Sequence, residues 1–165
     1  MTPRRRLRTV AAAAGALTSL AACEKPAPIV TVVNVGRSVY AEANVFCFEG
    51  QSAAAANCAQ RRTGSTTLEV VRGQTVGVDV DKEIVDDGWF IELSDPGAAE
   101  GEAEPQQSEV QTGHYFTFTA PNLPTGASLL LTVRSLNQDQ EPTGEWSFTL
   151  VPRQPSSSVA IARRI

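Results

Sequence analysis

Short stretches with strand character recur along this chain, and no stretch of ten or more residues has a helical repeat. β-Branched and aromatic residues dominate these stretches, which glycine, proline and asparagine separate. About eight strands are predicted: Ile29 to Val35, Ser38 to Phe48, Thr66 to Val71, Gln74 to Val80, Trp89 to Leu93, Tyr115 to Ala120, Ser128 to Val133 and Glu145 to Val151. The pattern predicts an all-β, immunoglobulin-like antiparallel β-sandwich, although a closed barrel would show the same periodicity.

Alternation within the predicted strands indicates which side chains face the core. The strand Gln74 to Val80 carries valine at every second position near its end, so these valines share one face. Trp89 begins a strand of the same kind, and we expect it at the centre of the core. Only two residues separate Gln74 from the strand Thr66 to Val71, so we expect these two strands to form a hairpin.

Three segments lack the strand pattern. Gln51 to Asn57 contains four consecutive alanines, which predicts a single helical turn. Asp95 to Gln107 combines proline, glycine and glutamate, which predicts a solvated loop. Residues 154–165 show little periodicity, and we expect a flexible tail there.

The first 22 residues have the order of a secretory signal peptide. Arginines near the start are followed by an apolar run from Val10 to Leu20 and then by two alanines. A membrane-spanning helix needs roughly 20 apolar residues, so this run is too short to remain as a span. We predict cleavage after Ala22. The arginine cluster also resembles a twin-arginine signal, so the export route stays open.

Cys23 stands directly after Leu-Ala-Ala, which looks like a bacterial lipobox. We predict a lipid on Cys23, which would anchor the protein to the extracytoplasmic face of the cell membrane. The alternative is an ordinary secretory signal that leaves Cys23 as a free thiol. With the anchor, residues 23–28 are a short tether that Pro26 and Pro28 keep from being helical, and residues 29–153 are the sandwich domain.

The other two cysteines, Cys47 and Cys58, are 11 positions apart. An exported chain folds in an oxidising compartment, so we predict a disulfide between them. Closing a loop of this size stabilises the fold by about 3 kcal/mol on the chain-entropy model. A zinc site would require further cysteine or histidine ligands nearby, which favours the structural bridge.

Charge argues against nucleic acid as a partner. The whole chain has 14 basic and 18 acidic residues, and four of the arginines precede Ala22. The remaining chain therefore has 10 basic and 18 acidic residues, a net charge of −8. Such a surface repels nucleic acid and anionic headgroups.

No catalytic motif is recognisable in the sequence. His114 is the single histidine, and no serine or cysteine nucleophile accompanies it in a known frame. A copper or zinc site built from several histidines is excluded by count. We therefore expect no cofactor and no enzymatic activity, with His114 as a structural or exposed residue.

The densest acidic segment runs from Asp79 to Asp87. Its carboxylates are candidates for a surface Ca²⁺ site, yet an EF-hand would need glycine where Ile84 stands. We expect instead a turn or short 3₁₀ segment with Ile84 and Val85 facing inward. A pair of catalytic carboxylates is the further alternative. The candidate metal ligands are Asp79, Asp81, Asp86 and Asp87.

Three motifs together resemble a family of small actinobacterial lipoproteins and membrane-tethered proteins of unknown activity: Phe46-Cys47 to Asn57-Cys58, Val78 to Ile84 leading to Gly88-Trp89, and Gly144 to Ser147. The likeness spans most of Ile29 to Arg153. It implies an envelope location, the bridge between Cys47 and Cys58, and two core tryptophans. It assigns no catalytic role.

A lipid-anchored, non-catalytic binding or structural module of the cell envelope is the function that these features favour. Its partners would be the membrane, through the lipid on Cys23, and an envelope protein or polymer that meets its loops. A carboxylate-dependent envelope glycoside hydrolase or a calcium-binding surface domain is the alternative.

Overall fold

The structure, a computed structural model, describes residues 26–48, 58–60, 64–98 and 104–153. Within them the elements in chain order are β1 (Ile29–Asn34), β2 (Arg37–Glu42), β3 (Val45–Phe46), β4 (Ala59–Gln60), β5 (Thr66–Val70), β6 (Thr75–Val80), α1 (Lys82–Val85), β7 (Trp89–Ser94), β8 (Gln106–Gln107), β9 (Tyr115–Thr119), β10 (Leu129–Leu136) and β11 (Pro142–Pro152).

The strands form two sheets. The four-stranded sheet has the order β2-β1-β6-β9. The seven-stranded sheet has the order β4-β3-β11-β10-β7-β8, and β5 also pairs with β11. Every pair is antiparallel except β5 with β11, which is parallel. The predicted antiparallel β-sandwich is therefore confirmed, with one parallel pair added.

A single hydrophobic core lies between the sheets. Trp89 and Trp146 are fully buried in it, which confirms the central position predicted for Trp89. The Trp89 ring meets Phe116 of the opposite sheet edge-to-face, with 6.4 Å between ring centroids. Both indole nitrogens donate hydrogen bonds to backbone carbonyls, Trp89 to Gly113 (2.8 Å) and Trp146 to Pro28 (2.9 Å), so neither leaves a buried donor unpaired.

The predicted hairpin between Thr66 to Val71 and Gln74 to Val80 is wrong. Their strands β5 and β6 belong to different sheets, so the turn between them crosses the sandwich. Gly73 allows this turn because its φ is +70°, and its N–H donates to the carbonyl of Ala120 (3.1 Å). Alternation marks a buried face equally well in either sheet, so it could not assign the partner.

Other boundaries also differ from the prediction. The strand β10 continues to Leu136 and β11 begins at Pro142, so both are longer than predicted. The stretch Ser38 to Phe48 is not one strand, because the chain leaves β2 after Glu42 and enters β3 in the other sheet. The segment Asp95 to Gln107 ends in β8, which pairs with Glu92 and Leu93 of β7. Gln106 and Gln107 form β8 through backbone pairing with β7, although both residues are exposed.

The predicted disulfide between Cys47 and Cys58 is present. It joins the chain after β3 to the chain before β4. The predicted signal peptide, the cleavage site at Ala22, the lipidation site Cys23, the helical turn of 51–57 and the tail of 154–165 lie outside the described residues.

The sandwich has two distinct ends. The end that we call the tether end contains Pro28, the connection through α1 and the β10–β11 turn, where the N–H of Leu136 donates to the carbonyl of Gly88 (2.9 Å). The opposite, far end contains the β1–β2 turn, the β5–β6 turn and Arg153. The chain therefore enters the domain at one end and leaves β11 at the other.

Candidate functional site

Both tyrosines of the chain lie on the outer face of the four-stranded sheet. Tyr40 is 64% exposed and Tyr115 is 56% exposed. The strand registers place them in one row, because Tyr40 pairs with Thr31, Thr31 with Asp79, and Asp79 with Tyr115. Three strand spacings separate the two tyrosines, which is about 14 Å. We call this surface the tyrosine face.

The ring of Tyr115 lies over Gly77 on the tyrosine face. A Cβ atom at Gly77 would lie 2.6 Å from Cζ of Tyr115 and 2.8 Å from Cγ2 of Val33. The phenol ring therefore occupies the space that a side chain at residue 77 would fill. The glycine thus positions one aromatic ring while leaving more than half of Tyr115 accessible.

Exposed apolar groups concentrate on the same sheet. The exposed large apolar side chains among the described residues are Ile29, Val35, Tyr40, Val110 and Tyr115, and all but Val110 belong to the four-stranded sheet or to the turn that follows β1. A grouping of this kind is typical of an interaction surface. Tyrosine also supplies contact area and a hydrogen-bonding hydroxyl at a small entropy cost.

The charged groups of the tyrosine face are carboxylates. Asp79 lies in the row between the tyrosines, and Glu42 pairs with Ile29 at the tether end of the sheet. The exposed Arg37 begins β2 and bonds to Glu69 of the other sheet instead, with 2.6 Å between Nη1 and Oε2. The face can therefore accept hydrogen bonds and attract positive charge, and it repels anionic ligands.

The acidic segment from Asp79 to Asp87 does not form a cluster. Asp81 Oδ2 accepts a hydrogen bond from the N–H of Ile29 (2.7 Å) and thereby fastens the start of β1. Asp86 and Asp87 follow α1 and are exposed. In the part of the chain that the structure describes, no three histidine, cysteine or acidic residues are grouped to hold a metal ion. The Ca²⁺ site stays a prediction.

The inward residues of this segment lie where the sequence indicates. Ile84 is buried, and the partly buried Val85 packs against the core. The element that they anchor is the short helix α1 rather than a 3₁₀ turn. His114 is exposed. Its Nδ1 atom lies 3.0 Å from the carbonyl oxygen of Val80, the last residue of β6. No nucleophile is bonded to the ring in the described contacts.

A charged group that sequence reasoning missed lies on the outer face of the seven-stranded sheet. Arg134 lies between Glu92 and Glu145, with Nε 3.6 Å and Nη2 3.5 Å from the nearest carboxylate oxygens. The Nε atom is shielded from solvent and makes no hydrogen bond. Gln107 Nε2 donates to Glu92 (3.3 Å). Because the guanidinium lies between them, the two glutamates do not form an open carboxylate pair.

No local sequence pattern indicates the row of tyrosines or the grouping of Arg134 with two glutamates. Tyr40 and Tyr115 are far apart in the chain and share a row only through the registers of β1 and β6. Glu92 and Glu145 likewise come together only because β7 and β11 flank β10. Strand periodicity tells only that successive side chains alternate between two faces, and it could not identify the neighbours of these residues.

Comparison with known proteins found no matching family model and no matching curated protein. Within the described residues, no helix is both long enough and apolar enough to cross a membrane.

Proposed function

We propose that this chain is a lipid-anchored, non-catalytic module of the cell envelope that binds an envelope component through the tyrosine face. The signal peptide order and Cys23 after Leu-Ala-Ala support the anchor and the extracytoplasmic location. The resemblance to actinobacterial lipoproteins supports the same location. The grouping of exposed tyrosines and aliphatic side chains on one sheet is the observation that carries the binding role.

The chemistry of the tyrosine face selects the kind of partner. Two exposed phenol rings provide stacking surfaces, and Asp79 and Glu42 supply acceptors with negative charge. The partner should therefore present apolar groups together with hydrogen-bond donors or positive charge. The sequence favoured the loops as the binding surface. We place the binding surface on the four-stranded sheet instead, because the exposed tyrosines lie in its strands.

Site-specific photocrosslinking in intact cells tests this function. A photoreactive amino acid is placed at Tyr40 or at Tyr115, and in a matched control at Thr67, an exposed residue of β5 in the other sheet. We expect the same neighbour to be captured from both tyrosine positions and not from Thr67. Capture from all three positions alike, or from none, would reject the tyrosine face as the binding surface.

A further inference from the structure

The point at which the tether joins the sandwich is held by the core. Pro28 is buried, and its carbonyl oxygen accepts a hydrogen bond from Nε1 of the fully buried Trp146 (2.9 Å). The next residue, Ile29, donates its N–H to Asp81 Oδ2 (2.7 Å). Ala27 also packs against the core. The chain is thus fastened to the tether end from Ala27 onward.

We infer that acylation of Cys23 keeps the tether end of the sandwich nearest the membrane and directs the far end away from it. This inference rests on the lipid anchor of the proposed function. Five peptide units separate Cys23 from Pro28, so the tether spans at most about 18 Å. The 11 residues of β11, which runs from the tether end to the far end, extend about 36 Å.

The charge distribution favours this upright arrangement over a domain lying on its side. Basic residues near anionic lipid stabilise membrane contact by about 1 kcal/mol each, so a side that lies on the membrane needs a basic surface. The tyrosine face presents Asp79 and Glu42, and Arg134 on the other sheet lies between two glutamates. Neither broad face therefore attracts anionic headgroups.

The tether end is itself strongly acidic. Its described carboxylates outnumber its one described lysine, Lys82; they are Glu42, Asp81, Glu83, Asp86, Asp87, Asp139 and Glu141. The far end is nearly balanced, with Arg37, Arg72 and Arg153 beside Glu69, Asp95 and Glu104. Repulsion between this acidic end and an anionic leaflet acts over about one Debye length, roughly 8 Å, which is shorter than the maximum reach of the tether, so this end can be the nearest to the membrane without touching it.

The upright arrangement places the tyrosine face close to the membrane. Thr31 lies in the row between the tyrosines and is three residues after Pro28 along β1. The row is therefore about 10 Å above the point where the tether joins the domain. A partner would meet the tyrosine face from the side, near the headgroups, whereas the far-end turns would face outward.

Energy transfer from the protein to the membrane tests the orientation. Acylation consumes the thiol of Cys23 and the bridge consumes Cys47 and Cys58, so an introduced cysteine is the only free thiol. The mature acylated protein, beginning at Cys23 and carrying Asp86→Cys or Arg72→Cys, is labelled with a donor fluorophore and placed in vesicles that contain an acceptor lipid. The two ends are roughly 30 Å apart. Energy transfer from a donor at residue 86 should therefore be at least about threefold more efficient than transfer from a donor at residue 72.

Two energy-transfer results would overturn the inference. Equal transfer from the two positions would show a domain that tumbles or lies on its side, and stronger transfer from residue 72 would show the reverse orientation. Intact mass measured before labelling separates failure of the anchor from failure of the orientation. A chain without lipid on Cys23 overturns both the anchor and the orientation, whereas an acylated chain with equal transfer overturns the orientation alone.

Discussion

The indole N–H of Trp146 joins the core of the sandwich to the start of the domain. Its hydrogen bond to the carbonyl of Pro28 is buried, so removal of the donor leaves a buried acceptor without a partner. Trp146→Phe keeps an aromatic ring and should lower the free energy of unfolding by about 1–3 kcal/mol. Denaturant titration measures this loss.

Tyr40→Phe is the surface control for Trp146→Phe, because it removes a hydrogen-bonding hydroxyl group from an exposed aromatic side chain. We expect the control to change stability by less than about 0.5 kcal/mol. Equal stabilities of the two variants would contradict the role given to the bond between Trp146 and Pro28.

Gly77 offers a way to move the ring of Tyr115 without removing it. A methyl group at residue 77 would overlap the phenol ring and press on Val33, so Gly77→Ala should displace the ring from the sheet. We expect photocrosslinking from Tyr40 to fall at least about threefold, with only a modest change in melting temperature because the ring is exposed.

Thr75→Ala controls for the substitution at Gly77, since Thr75 is exposed on the same strand and pairs with Thr119 rather than with a tyrosine. Crosslinking should be unchanged in that variant. Unaltered capture in Gly77→Ala, with the ring displaced in its NMR spectrum, would show that the position of Tyr115 does not matter for binding.

At the scale of single elements, the connection from β6 to α1 holds the start of β1 through a hydrogen bond to Asp81. Asp81→Ala removes the charged acceptor that Ile29 uses, and it should lower the free energy of unfolding by about 1–2 kcal/mol. Asp86→Ala removes an exposed carboxylate of the same segment and should have an effect below about 0.5 kcal/mol. Thermal melts in low salt compare them, and equal losses would argue for a general charge effect.

The bridge constrains the connection from β3 to β4. Replacing Cys47 and Cys58 together with serine should lower the free energy of unfolding by about 3 kcal/mol, because the unfolded chain regains the freedom of an 11-residue separation. The double variant avoids a stray thiol, and comparison with the wild type under reducing conditions gives the same quantity independently. A loss below about 1 kcal/mol would mean that the bridge hardly restricts the unfolded chain.

Local pattern predicted the strands well and their partners poorly. The alternating valines of β6 and the apolar side of β7 follow from a two-residue repeat, which a single strand contains within itself. The sheet to which β5 belongs is set by its parallel pairing with β11, which lies far along the chain and leaves no trace in the pattern of β5 itself. The row of Tyr40 and Tyr115 likewise requires the registers of three strand pairs.

On the scale of the whole molecule, the two ends of the sandwich differ in charge. The end that contains Pro28 is strongly acidic, and the other end is nearly neutral. A lipid at Cys23 would turn this asymmetry into an orientation at the cell surface. The anchor is therefore the claim on which the location, the orientation and the access of a partner to the tyrosine face all depend.

Intact-mass spectrometry of the protein extracted from membranes of its native host tests that claim most directly. We expect a chain that has lost residues 1–22 and carries fatty acyl groups on Cys23, with Cys47 and Cys58 oxidised. A Cys23→Ala variant should keep its signal segment or leave the membrane fraction. A mature chain with an unmodified residue 23, or an uncleaved chain that stays soluble, would contradict the lipid anchor.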